Sequence, residues 1–103
     1  MKTEVAILRH EYPAQIREHV VEKLQHLARF NHGLLSVRAF LERQHDDHRV
    51  ELVARVRRGV VLVVDARRDG ISAALDEAVE RMGRALTRHK KKLDERRKAK
   101  VER

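Results

Sequence analysis

The chain contains no cysteine. That excludes a disulfide framework, a thiolate-zinc site and a thiol nucleophile, and it suits a reducing, cytoplasmic setting. Aromatic residues are reduced to Tyr12, Phe30 and Phe40, 3% of the chain. A sheet-wide base-stacking platform, as used by RRM and single-strand binders, is therefore not expected. No apolar run approaches the ~18 residues that cross a membrane. The opening Met1-Lys2-Thr3-Glu4 leads into a strand-like pattern without the apolar core of a signal peptide, so no membrane partner is expected. A Gly-rich phosphate loop, a Ser/His/Asp arrangement and a paired-carboxylate motif are also missing. An enzymatic role, a cofactor and a small-molecule substrate are accordingly not expected.

What the chain does have is charge. Of its 103 residues 39% are charged, and the formal net charge is +8. From Arg84 to Arg103 there are ten Lys/Arg against three acids, a net of +7, which leaves +1 for residues 1–83. An excess gathered at one end is the electrostatic footprint of a polyanion partner, or else a solvated basic tail.

Residues 4–9 are β-prone. Pro13 suits the first turn of a helix, and Ile16, Val20, Leu24 and Leu27 then recur at helical spacing. This first helix should end near Asn31-His32-Gly33, with Gly33 as a left-handed stop. Residues 35–43 alternate, Leu35, Val37, Ala39 and Leu41 on one face. Residues 49–57 alternate more cleanly, with Val50, Leu52, Ala54 and Val56 against Glu51, Val53, Arg55 and Arg57. His45-Asp46-Asp47-His48 reads as a polar turn between them. Arg58-Gly59 makes the next turn, Val60 to Val64 is a continuous apolar run, and Arg67-Arg68-Asp69-Gly70 closes the sheet as a loop.

The second helix should begin at Asp69 to Ser72. Leu75, Val79, Met82, Leu86, His89 and Leu93 alternate steps of four and three, which puts them in one stripe. Arg81, Arg84, Arg88, Lys91 and Lys92 fall on nearly the opposite side, and Lys90 on a flank. Glu77–Arg81 and Glu80–Arg84 are favourable i,i+4 pairs.

The order β-α-β-β-β-α predicts an α+β fold. The expected architecture is a two-layer sandwich with a four-stranded mixed sheet and two helices on one face. The first two strands should be parallel, joined by a right-handed crossover. One domain is expected over residues 1–93, followed by a basic, flexible tail over 94–103.

Residues Asp76 to Leu93, with Ala73-Ala74-Leu75 before them, resemble the signature of the hibernation-promoting factor family, also called ribosome-associated inhibitors or sigma-54 modulation proteins. Val20 to Leu27 is similar to the family's Lys-x-x-x-Leu region. The resemblance implies the same β-α-β-β-β-α fold. It further implies binding to rRNA of the small ribosomal subunit, in the decoding channel over the tRNA and messenger sites, with arrest of translation in starved cells. RNA-facing residues carried over are Lys23, Arg81, Arg84, Arg88, Lys90 and Lys92, with Lys91 beside them. The sequence departs from the family pattern in three places. Ala85 stands where a glutamine is usual, Gly83 replaces a charged residue, and the loop at Arg68 to Ile71 is one residue off. The second domain with which long members pair ribosomes is absent from this chain, which is expected to be monomeric off the ribosome.

A row of cations at i, i+3, i+4 and i+7 can follow a phosphate backbone, and arginine adds bidentate geometry. The expected recognition is of RNA shape and charge. Alternatives are general RNA binding, modulation of a sigma factor, and a basic amphipathic helix lying on acidic membranes. The seven histidines, His45 and His48 among them, lack the supporting cluster of a metal site. A solvated hairpin is expected there, and His89 should be a packing residue.

Overall fold

Alternation of apolar and polar residues becomes a sheet here because one face has two helices to bury it against. The computed structural model describes residues 1–101, and side chains as far as Lys98. The elements are β1 (Lys2–Leu8), α1 (Ala14–Gln25), a 3₁₀ segment (His26–Phe30), β2 (Leu34–Gln44), β3 (Asp47–Val56), β4 (Val60–Arg68) and α2 (Ile71–Val101). The strands lie in the order β1-β2-β3-β4. β1 pairs parallel with β2, while β2–β3 and β3–β4 are antiparallel. The fold is the α+β sandwich that the pattern predicts.

One core joins both layers. Val37, Ala39 and Leu41 of β2 and Val50, Leu52 and Ala54 of β3 are fully buried, as are Val20 and Leu24 of α1 and Met82 and Leu86 of α2. Burial of each valine, leucine or methionine among them contributes about 1.5–3 kcal/mol. The other sheet face is open, and there Arg38 pairs with Glu4, and Arg49 with Glu51 (2.9 Å) and Asp65 (3.2 Å).

Several local expectations need correction. Leu35 is half exposed, and Leu34 faces the core in its place, 7% exposed. The cause is a register shift between Leu34 and Ser36, since one extra residue turns a side chain to the other face. Gly33 is not a left-handed stop, for Gly59 is the only glycine at positive φ among the described residues. The first helix instead tightens into the 3₁₀ segment and ends where Asn31 becomes extended, φ −162°. The Asn31 side-chain oxygen then accepts from the Gly33 N–H at 2.8 Å.

The polar turn shrinks to His45-Asp46, His45 at φ 56°, while Asp47 and His48 enter β3. Arg67 and Arg68 likewise belong to β4 and pair with Arg49 and His48. The Val60–Val64 run is two-sided, with Val61 and Val63 exposed. Helical backbone continues beyond Leu93 as part of α2, and the side chains from Asp94 to Lys98 are exposed. The end of the expected 94–103 tail lies outside the described residues.

Candidate nucleic-acid interface

The apolar stripe of α2 fixes where its cations stand. With Leu75, Met82 and Leu86 seated on the sheet, the residues about half a turn away have only solvent to face. Three of the expected site residues already hold acids. Arg81 donates to Glu77 and to the Asp65 carbonyl oxygen, both at 2.6 Å. Arg84 pairs with Glu80 at 3.2 Å, and Lys23 with Asp76 at 3.1 Å. Arg88, Lys90, Lys91 and Lys92 are exposed and hold no ion pair among the described residues. Exposed pairs contribute only about 0–1 kcal/mol, so a phosphate can compete for Arg84 or Lys23. Arg81, held also by a backbone carbonyl, is the least available.

The cations do not form a single row. Lys23, Arg84, Arg88 and Lys91 border a groove between the helices, together with Arg29 and Phe30 of the 3₁₀ segment. Lys90 looks instead onto a hollow beside the β3–β4 turn, shared with Arg57, Arg58 and Arg97. Arg81 lies towards Arg68 on the far side. Arg29, Arg57 and Arg58 therefore join the positive surface, and sequence periodicity had no means of finding them. They come from the 3₁₀ segment and the β3–β4 turn, whose placement depends on the tertiary packing.

A second cluster sits at the other end of the sheet. The Tyr12 hydroxyl lies 2.7 Å from His48 Nδ1, and His10 packs edge-on against Tyr12, ring centres 4.5 Å apart. Burial, helped by the nearby Arg43 and His10, holds His48 below the usual histidine range, and burial pushes the Tyr12 hydroxyl up. With a neutral ring, the Tyr12 O–H donates to Nδ1. The described residues contain no group of three or more His, Cys, Asp or Glu placed to hold a metal. His89 is half-buried on α2, and its Nε2 has no hydrogen-bond partner among the described residues.

The sequence profile of the sigma 54 modulation protein / S30EA ribosomal protein family matches residues 8–94. The chain belongs to this family. It is the hibernation-promoting factor family that residues Ala73 to Leu93 resemble. Two solved structures share its fold. The N-terminal domain of Protein Y from Thermus thermophilus superposes with a TM-score of 0.75 at 26% identity, covering 84% of this chain and 94% of that domain. A ribosomal subunit interface protein from Coxiella burnetii gives a TM-score of 0.76 at 14% identity, over 87% of this chain and 98% of the other, a likeness of fold alone. Among curated proteins there is no significant sequence match.

Proposed function

We propose that this S30EA family member is a ribosome-associated hibernation factor. In this reading it binds small-subunit rRNA in the decoding channel, over the tRNA and messenger sites, and so stops translation. The observation that carries it is the set Arg88, Lys90, Lys91 and Lys92, exposed on one helix without acidic partners among the described residues. A helix packed on a sheet presents these charges at fixed spacing. Phosphates then meet cations whose backbone is already ordered, which lowers the entropic cost of binding. Lys23, Arg81 and Arg84 act as secondary contacts that must first leave Asp76, Glu77 and Glu80. Arg96, Arg97 and Lys98, exposed further along the same helix, extend this positive surface.

A membrane-lying role fits poorly. The apolar stripe of α2 is spent on the sheet, and no helix among the described residues is long and apolar enough to cross a membrane.

The test is co-sedimentation with purified small subunits across a salt series. Binding should weaken with a slope of roughly 0.7–0.9 per phosphate neutralised, and added initiator tRNA should displace the protein. Equal binding to any RNA of similar length, undisturbed by tRNA, would reduce the function to general polyanion binding. Capture by a sigma factor with no affinity for small subunits would support the sigma-modulating alternative.

A further inference from the structure

The groove between α1 and α2 is more than a row of charges. Its α2 wall is built from Asp76, Val79, Gly83 and Thr87, one helical turn apart, and the cations between them. Its other wall ends in Phe30, which is only half-buried although it is one of three aromatic residues in the chain. Gly83 explains how that ring fits. A Cβ at position 83 would lie 3.1 Å from Phe30 Cε2 and 3.3 Å from Cζ, so the ring edge occupies the place of a side chain. Thr87 turns its hydroxyl inward, donating to the Gly83 carbonyl at 2.9 Å. Val79, Gly83 and the Phe30 ring give the middle of the groove an apolar floor. The Arg29 guanidinium stands 4.8 Å from the centre of the Phe30 ring and adds a second planar group.

Volume and charge narrow the occupant. The groove encloses about 590 Å³, within the range of roughly 300–1,000 Å³ typical of small-ligand sites. At one end Lys23–Asp76 and Arg84–Glu80 cancel each other's charge. At the other end Arg88 and Lys91 have no acidic partner among the described residues. The complementary ligand has a flat apolar part for the middle and an anionic part for the Arg88 end. That is a nucleotide. Bases in a duplex are stacked on one another and cannot offer a free face, whereas unpaired RNA bases stack on aromatic rings and guanidinium planes.

We infer that this groove holds one unpaired nucleotide of the bound RNA, its base against Arg29 and Phe30 and its phosphate at Arg88 and Lys91. The inference rests on the RNA-binding reading above and adds a preference for unpaired RNA to its recognition of charge and shape. Phe30 is the specificity-determining residue, and Gly83 positions it.

The chain has no tryptophan, so Phe30→Trp in the full-length protein introduces a single reporter. Its fluorescence should be quenched by a short unpaired RNA oligonucleotide. An abasic oligonucleotide of equal length, or a duplex, should quench it far less. Phe30→Leu should weaken binding to the unpaired oligonucleotide about 5- to 10-fold. The salt slope should stay unchanged, because no charge is lost. Unquenched fluorescence at saturating RNA overturns the inference, as does equal quenching by the abasic oligonucleotide or the duplex. In either case small-subunit binding by the unmodified protein would persist. Loss of that binding is the separate result that overturns the RNA-binding reading itself.

Discussion

The Asn31 side-chain amide donates to the Leu86 carbonyl oxygen at 3.2 Å, joining the end of the 3₁₀ segment to the middle of α2 across 55 residues of sequence. Asn31 is the one buried polar residue among the described residues, 6% exposed, and its oxygen also accepts from Gly33. One side chain thus ends the first helical arm and aligns the second. Asn31→Ala should cost about 1–3 kcal/mol, since a partly buried N–H loses its acceptor. Chemical denaturation would show it, and an unchanged midpoint would mean that the two contacts are incidental.

Leu86 itself has no exposed surface. Leu86→Ala should destabilise the fold by about 2–5 kcal/mol, the transfer and cavity cost of a buried leucine. A melting temperature within error of the parent would place the α2 stripe in solvent and revive the membrane-surface reading.

The free and the engaged cations of α2 should behave differently. Arg88→Glu combined with Lys92→Glu reverses two exposed charges without touching the core, and small-subunit binding should be abolished at moderate salt while the melting temperature holds. Arg81→Ala removes an arginine already bonded to Glu77 and Asp65, so its effect on binding should be much smaller. Equal losses in the two variants would show that total charge, and not these positions, decides binding.

The His48 cluster should make stability depend on pH. The ring is held below its usual value of 6.5 by burial, Arg43 and His10, against weaker opposing pulls from Asp47 and Asp69. The folded state therefore favours the neutral ring, and the unfolded chain binds the proton more readily. By linkage, this contribution is complete above about pH 6.5 and is lost as pH falls through the folded value. Thermal melts between about pH 7.5 and 5.5 should show a decline that His48→Phe lessens. Glu4, lowered by Arg38 and Lys2 from its usual 4.5, acts at lower pH and leaves that window clear. Parallel pH profiles for the two proteins would remove His48 from the account.

Inhibition of translation should require the folded domain. A peptide of residues 72–103 carries most of the excess charge but lacks Lys23, Arg29 and Phe30. In cell-free translation it should inhibit far less than the whole chain at equal concentration. Equal potency would reduce the protein to a polycation.

Much of this architecture was legible in one dimension, because burial on a single face imposes its own period. Leu75, Met82 and Leu86 recur at helical steps, and Val50, Leu52, Ala54 and Val56 alternate. Each set had to turn together towards one core. Element order, the mixed sheet and the side of α2 that carries Arg88, Lys91 and Lys92 follow from those periods. Register slips carry no periodic mark, so the exchange of Leu34 for Leu35 could be found only where β2 meets β3.

The amino-acid order alone thus determined the layers, the charge asymmetry and the likeness of Ala73 to Leu93 to its family. Tertiary structure decided which charges are free. Arg81 and Arg84 lie one turn from acids, which sequence spacing shows, but the Asp65 carbonyl that also holds Arg81 comes from another element. The same is true of Phe30 against Gly83 and of Tyr12 against His48. Periodicity describes the face a residue turns to within its own element. Distances between elements are set by packing, and the candidate groove exists only at that level.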